Sequence, residues 1–441
     1  MHLVVVGLNH KTAPLWVRER LSIPEAQLSE VLHVLKANPR IAECLVLSTC
    51  NRTEVYSYTI SRADDDYVIT EIGRVCGVSP ETYAQHIYSH AGHKAAEHLF
   101  RVAAGIDSMI LGEAQILGQI KEAYAAACKI GATGPVLNAL FQQAITVGKR
   151  VRAETEIGRG AFSVGSVAVQ LATAIFESLD DRQVLVIGAG KMANLILTHL
   201  ASSNAKNVLV TNRNYEKALS LASKVGGQAL PFDDLGRSLE TADIVIASTG
   251  SSQAIITKEL VSTAMHVRRG RPVFFIDIAV PRDVEQSVEE LDNVFVYNID
   301  DLQQVVESDA ASRRTEVAKV EAIVAEEVRA FNEWFRTLDA IPVVSALREK
   351  FEAIRSGEMN KLRKRLKGLS EEHLEAIEAA TRSIVNKISH DPILRVKSYC
   401  AEDGTDEKLR MVRELFGISL DENKAEADDL PPANGRNHDG V

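Results

Sequence analysis

The chain has no run of eighteen apolar residues, no C-x-x-C pair and no visible cluster of metal ligands. Each absence removes a class of protein. Without a long apolar run no helix is expected to span a bilayer, so no membrane partner is expected. The five cysteines, Cys44, Cys50, Cys76, Cys128 and Cys400, are odd in number and scattered. They imply neither a disulfide framework nor a zinc site, and they fit free thiols in a reducing cytosol. Basic residues are in deficit: 50 Lys and Arg against 60 Asp and Glu leave a net charge of -10. That balance excludes a generally cationic nucleic-acid coat protein while leaving room for a local basic patch. Met1 leads straight into the strand-like Leu3-Val-Val-Val-Gly7 with no signal or transit segment, which predicts a cytoplasmic protein. Residues 421–441 contain almost no large apolar side chain and are expected to form a disordered acidic tail.

What remains is a 441-residue chain, 46% hydrophobic, long enough for two or three domains that each bury a core. Residues 3–8 read as a strand, and Pro24 to Lys36 as a helix with Leu28, Val31, Leu32 and Leu35 on its apolar face. The apolar run Cys44-Leu-Val-Leu47 leads into Ser48-Thr49-Cys50-Asn51-Arg52, a buried strand ending in a loop, and Val55-Tyr-Ser-Tyr58 follows as a second strand. A thiol at that strand end is a candidate nucleophile, because a nearby cation lowers its pKa and the thiolate is the reactive form. Arg52 offers a bidentate fork to a carboxylate. An inert cysteine beside a surface arginine is the competing reading. Helices then run from about His93 to Phe176, and in Gly105-Ile-Asp-Ser-Met-Ile-Leu-Gly112-Glu-Ala-Gln115 polar residues stand among apolar ones, where they need partners or a ligand. His98 lies on the preceding helix, where a lone histidine is ordinarily structural. Lys149-Arg150-Val-Arg152 ends a helix, as a cap for its dipole or as a contact for phosphate.

The strongest local signal is Gln183-Val-Leu-Val-Ile-Gly188-Ala189-Gly190-Lys191-Met192-Ala193, a buried strand that enters a G-x-G-x-x-A turn with a helix opening directly after it, over 191–202. That is the dinucleotide fingerprint in its required context. The next strand, Asn207-Val-Leu-Val210, ends in Thr211-Asn212-Arg213 where an NAD enzyme would carry an acid. Arg213 and the Thr211 hydroxyl suit a ribose 2′-phosphate, so the expected cofactor is NADPH. Strands 243–247 and 273–276 complete a Rossmann-type pattern, and Asp277 to Arg282 either line the nicotinamide or simply connect two elements. From about Leu302 a helical pattern of some thirty residues suggests a spine, which Pro342 interrupts before further helices to about Phe416. Lys361-Leu-Arg-Lys-Arg-Leu-Lys367 reads as a solvated face or as a contact for RNA phosphate.

The expected architecture is therefore α/β and multidomain. An α+β N-terminal domain spans 1–160, a Rossmann-type NADP-binding domain 161–300, and a long spinal helix with an all-α domain 301–420. The blocks Gly7-Leu-Asn-His-Lys-Thr-Ala-Pro14, Ser48-Thr-Cys-Asn-Arg-Thr-Glu54, His98 to Gln119, Gly188-Ala-Gly190, Pro342 to Arg348 and His390-Asp-Pro-Ile393 together resemble the glutamyl-tRNA reductases. Those enzymes catalyse the first committed step of five-carbon tetrapyrrole synthesis. The resemblance implies that Cys50 attacks the glutamyl ester of charged tRNA, and that NADPH reduces the thioester to glutamate-1-semialdehyde. It implies further that Arg52 grips the substrate carboxylate, with Thr49, Asn51, Ser108, Glu113, Ala114, Gln115 and Gln119 around the glutamyl group. His98 is implied as a catalytic residue of unassigned role. The resemblance also makes 1–160 the catalytic domain and 301–420 the dimerisation domain, and it implies a V-shaped homodimer and a partner enzyme, glutamate-1-semialdehyde aminomutase. Two rival readings are an NADP-dependent dehydrogenase of a free small acid and a non-catalytic tRNA-binding paralogue. The first leaves Cys50 without a task, and the second sits badly with an intact cysteine and glycine turn.

Overall fold

The computed structural model describes residues 2–60, 65–113, 115–158, 164–302, 310–338, 340–365, 368, 370–400 and 405–418. Two compact units divide the chain, one ending at Ala325 and the other beginning at Glu326.

The first unit opens with β1 (His2–Asn9), α1 (Leu15–Arg20), α2 (Glu25–Lys36), β2 (Ile41–Ser48) and β3 (Arg52–Thr59). Next come α3 (Asp65–Cys76), α4 (Pro80–Tyr83) and β4 (Tyr88–Ala91). The four strands form an antiparallel sheet in the order β2-β3-β1-β4. Val31, Leu32 and Leu35 bury the predicted apolar face of α2. The helices α5 (His93–Ala104), α6 (Gln115–Ile130), α7 (Pro135–Glu154) and α8 (Val164–Phe176) follow. The β2–β3 connection is a tight hairpin, so Cys50 sits in a three-residue turn pinned on both sides by paired strands.

The parallel sheet is assembled from β5 (Gln183–Ile187), α9 (Lys191–Ser202), β6 (Asn207–Thr211), α10 (Tyr215–Lys224), β7 (Gln228–Leu230), α11 (Leu235–Thr241), β8 (Ile244–Ala247), α12 (Lys258–Arg268), β9 (Val273–Asp277) and β10 (Val294–Asn298). Its order is β10-β9-β8-β5-β6-β7, with every neighbouring pair parallel. Strand order reverses between β5 and β8, and doubly wound sheets bind nucleotides at that switch point. Gly188 sits there with φ +118, and a Cβ on it would lie 2.7 Å from the Ser248 carbonyl oxygen, so only glycine serves. One apolar core joins the two halves of the unit. Leu15, Met109 and Ile110 share a cluster with Val184, Ala193, Ile276 and Ile278.

The spine is α13 (Ala310–Thr337), 28 residues and roughly 42 Å long at 1.5 Å per residue, and the boundary between the two units falls within it. The expected start near Leu302 falls partly on 303–309, outside the described residues. α13 ends at Thr337, ahead of Pro342, which does not interrupt a helix as expected but lies inside the first turn of α14 (Ala340–Arg365), where a missing N–H costs nothing. Two more helices follow, α15 (Glu371–Tyr399) and α16 (Thr405–Phe416). In the basic run, Lys361 pairs with Glu358 at 2.6 Å and Arg363 with Glu378 at 3.3 Å, so these two cations belong to a solvated, acid-paired face. Lys367 and the 421–441 tail lie outside the described residues. Among those residues no helix is long and apolar enough to cross a membrane.

Candidate active site

Thr49, Cys50, Asn51, Arg52, Ser108, Glu113, Gln115, Ile116 and Gln119 line one cleft, so the hairpin turn and the 105–119 block converge as the sequence suggested. Ala114 is outside the described residues. The Thr49 hydroxyl shapes the turn by accepting from the backbone N–H groups of Asn51 and Arg52, each at 3.2 Å. Gly112, at φ +78, folds the 105–113 loop under the cleft, where a Cβ would strike the Ile157 carbonyl oxygen at 2.0 Å. Arg152 braces that loop by donating to the carbonyls of Gly148 at 2.6 Å, Glu113 at 3.1 Å and Ala103 at 3.3 Å. It therefore braces the loop from the last turn of α7, where a cation also suits the helix dipole as the 149–152 run suggested.

Two polar atoms in the cleft, Ser108 Oγ and Gln115 Oε1, are buried with no hydrogen-bond partner. Buried polar groups are rarely left so unless a ligand completes them. Glu113 is buried too, and burial lifts its carboxyl from the ordinary 4.5 to about 7. That shift has a measurable consequence. A folded-state value above the ordinary one contributes stability below about pH 4.5 that is lost as the pH rises through about 7. Glu113→Gln is therefore expected to stabilise the protein at about pH 8 by up to ~3 kcal/mol, with the gain vanishing below about pH 4.5. Urea unfolding at both pH values measures it, and an equal difference at the two would refute a strained carboxyl.

Cys50 is half-buried, and its thiol is pushed up to about 12, first by burial and next by Glu113. Arg18 and Arg52 pull the other way but are outweighed. Arg52 thus lowers the thiol as expected, but the net shift is upward because burial outweighs it. The guanidinium also serves other partners. Arg52 is 2% exposed; Nη1 donates to Glu54 at 2.6 Å, both Nη1 and Nη2 reach Asp107 Oδ2 at 3.3 Å, and Nη2 also donates to the Asp107 carbonyl. Lys11 holds the same Asp107 carboxylate.

Glu54 is the hub that sequence reasoning missed. It accepts from Arg52, from the Tyr56 hydroxyl at 2.7 Å, from the Tyr88 hydroxyl, and at 2.8 Å from His98 Nε2. Burial opposes its charge, yet Arg52 and then His98 hold the carboxyl well below the usual range. His98 thus stands behind the Arg52–Glu54 pair and is not among the residues lining the cleft. A signal was present, since Arg52, Glu54 and Tyr56 alternate along one face of a buried strand.

In the second half of the unit, a Cβ on Gly190 would meet nothing within 4 Å, which leaves the turn open to a pyrophosphate. Ala189 and Met192 pack on the shared core that also touches Cys50, and Ala193 is fully buried within it. Lys191 is exposed and pairs with Glu122 of α6. Arg213 is exposed, 3.3 Å from Ser251 Oγ, with its guanidinium 6.0 Å from the Phe232 ring. Asn212 is half-buried beside it, donating to the Asn214 carbonyl at 3.1 Å. Thr211 differs from expectation: it is fully buried and its hydroxyl has no partner, so the surface of that strand end belongs to Asn212 and Arg213. Asp277 bends back on its own loop, accepting from Ala279 N at 3.0 Å and Val284 N at 2.8 Å.

Three known families match successive stretches of the chain. Residues 6–155 match the glutamyl-tRNAGlu reductase N-terminal domain, 170–305 the shikimate/quinate 5-dehydrogenase family, and 319–418 the glutamyl-tRNAGlu reductase dimerisation domain. The chain is 43% identical over 418 residues to glutamyl-tRNA reductase 2 of Koribacter versatilis (strain Ellin345), covering 95% of each. It is 44% identical over 432 residues to the glutamyl-tRNA reductase of Pelotomaculum thermopropionicum, covering 98% of this chain and 97% of that one. The solved glutamyl-tRNA reductase of Methanopyrus kandleri aligns with a TM-score of 0.50 at 32% identity, covering 94% of this chain and 98% of that one. With relatives 43% and 44% identical along nearly the whole length and both reductase-specific domains matched, the chain belongs to the glutamyl-tRNA reductase family.

Proposed function

We propose that this protein reduces glutamyl-tRNA to glutamate-1-semialdehyde through a thioester at Cys50, as the first step of five-carbon tetrapyrrole synthesis. The carrying observation is the cleft: a thiol beside two orphaned buried polar atoms, one guanidinium and one buried carboxyl. A glutamyl ester has a γ-carboxylate and an α-ammonium to match. Arg52 receives the carboxylate in place of Asp107, Glu113 faces the ammonium, and the Ser108 and Gln115 side chains gain the partners they lack. Thr49, Asn51 and Gln119 close the remaining wall, with Ala114 in the same segment. His98 acts from behind by holding Glu54 on Arg52.

In the first step the Cys50 S–H gives up its proton, the sulfur–carbonyl carbon bond forms, and the ester bond to the tRNA ribose breaks. The proton ends on the departing ribose hydroxyl. Covalent catalysis of this kind splits one hard reduction into two easier steps. Gly188, Ala189, Gly190, Lys191, Met192 and Ala193 are fitted to hold a nicotinamide dinucleotide, since the turn is open where a pyrophosphate would lie. The chemistry that NADPH would supply here is hydride: thioester, hydride and one proton give the semialdehyde and the free Cys50 thiol.

The choice of NADPH rests on Arg213, with Asn212 and Thr211 beneath it. Arg213→Ala should weaken NADPH by about 10- to 100-fold while barely changing NADH, because a charged hydrogen bond to the 2′-phosphate contributes roughly 1.5–3 kcal/mol. Fluorescence titration with both nucleotides decides; equal losses would remove Arg213 from that role.

The proposed division of labour is catalysis in 1–160, nucleotide binding in 161–300 and dimerisation in 301–420. Exposed Ile384 and Ile388, one turn apart on α15, give the helical unit an apolar stripe for a second copy. An unstable aldehyde product calls for direct transfer to glutamate-1-semialdehyde aminomutase in the cytoplasm. Incubation with glutamyl-tRNA and NADPH tests the whole reading: semialdehyde must appear, and turnover of free glutamate or another small acid in its place would overturn it.

A further inference from the structure

We propose that the six-residue helix α1 is a strap that holds the nucleotide crevice against the Cys50 hairpin, with Arg18 and Glu19 as positioning residues for the reduction step. The proposal rests on the thioester reading above.

Arg18 is 2% exposed and has its guanidinium fully engaged. Nε donates to the Ala13 carbonyl at 3.2 Å, Nη1 to the Cys50 carbonyl at 3.1 Å and to Asn51 Oδ1 at 3.4 Å, and Nη2 pairs with Asp300. One side chain therefore grips the backbone of the nucleophile and an acid that follows β10 of the parallel sheet. The next residue makes a second link. Glu19 accepts from Arg282 three times, from the backbone N at 2.8 Å and Nε at 2.7 Å on Oε1, and from Nη2 at 3.0 Å on Oε2. Glu19 and Arg282 are 14% and 20% exposed, so this pair is sheltered rather than a loose surface contact.

Beyond Arg282 the connection continues into the crevice. Asp283 is fully buried and accepts from the Thr249 backbone N–H at 2.7 Å and from the Thr249 hydroxyl. Thr249 follows β8, at the carboxyl edge of the sheet where the strand order reverses. Leu15, on the same helix, sits in the shared core on which Cys50, Ala189 and Met192 also pack. A continuous set of polar links and an apolar floor thus run from the Cys50 carbonyl to the strand ends around the dinucleotide turn.

The two chemical steps place different demands on these links. Acylation of Cys50 needs the hairpin and the 105–119 block alone. Reduction needs the two halves of the unit in register, and a misplacement of about 1 Å is enough to cost on the order of 100-fold. Loosening the strap should therefore spare acylation, slow reduction and hand the thioester to water. A helix that served only folding would weaken both steps together.

The test uses full-length Glu19→Gln, Arg282→Ala and the charge-exchanged pair Glu19→Arg with Arg282→Glu. Without nucleotide, the rate at which iodoacetamide alkylates Cys50 should rise several-fold in the two single variants and fall back in the exchanged pair, since the thiol loses its cover. With NADPH and glutamyl-tRNA labelled in the amino acid, thioester formation in the single variants should match wild type. Their ratio of semialdehyde to glutamate should fall about tenfold or more, and recover in the exchanged pair. An unchanged ratio and alkylation rate, or acylation and reduction falling in parallel without recovery, would overturn the strap. Absence of a labelled Cys50 adduct in the wild type would instead show that the thioester reading itself has failed.

Discussion

Cys50→Ser will abolish semialdehyde formation and leave NADPH binding intact. Serine is close to isosteric with cysteine, so the three-residue hairpin turn and its Thr49 hydrogen bonds should survive the change. What is lost is reactivity. Even the thiol is pushed up to about 12 in this cleft, and a hydroxyl starts far above it. Among the described residues lining the cleft there is no histidine to take its proton. A loss on the order of 10³-fold or more is expected, by analogy with removal of the nucleophile from other covalent enzymes. The dinucleotide turn at Gly188 and Gly190 lies on a different sheet, so nucleotide titration of the variant should overlay the wild type. Normal turnover by the serine variant would end the covalent mechanism.

Wild-type protein given glutamyl-tRNA without NADPH should slowly release free glutamate. Water is then the only acceptor for the thioester, so the protein behaves as an esterase. Cys50→Ser should lose this hydrolysis, and Gly190→Asp should keep it while losing reduction. The structure makes the second variant a clean probe. Gly190 has φ -86, an ordinary value for any residue, and a Cβ there meets nothing within 4 Å. The aspartate folds into open space and places a carboxylate where the pyrophosphate must approach. Repulsion and steric block at that point should cost reduction about 100-fold or more, since this turn is where the phosphates are held. Chromatographic separation of glutamate from semialdehyde reads both activities in one experiment. If Gly190→Asp were folded yet lost its esterase activity, the division of labour between the two halves would be wrong.

These predictions rest on features of two kinds. Some were legible in the sequence because the signal is contiguous. The strand–turn–helix at 183–202 needs only neighbouring residues, and the helix 191–202 forms over the predicted span. The cysteine between two apolar strands, the polar residues stranded in 105–119 and the long helix are likewise local patterns. Each follows from backbone preference and hydrophobic period, which act over a few residues.

Tertiary structure decided whatever depends on who meets whom. Arg52 meets Asp107, 55 residues away, and the packing buries the Cys50 thiol, so burial outweighs the lowering that Arg52 exerts on it. Thr211 ends a strand as expected, but the packing around β6 buries its hydroxyl completely. Arg18 and Asp300 are 282 residues apart, and Glu19 and Arg282 are 263 apart, so no local pattern could pair them. Burial and charge pairing are set by the whole fold, and a pKa reports both at once. The sequence by itself therefore determined the elements, the family and the residues that gather at the cleft. Only the packed molecule decided which of those residues are engaged with one another, because the energies of buried charges depend on neighbours that the chain brings together from afar.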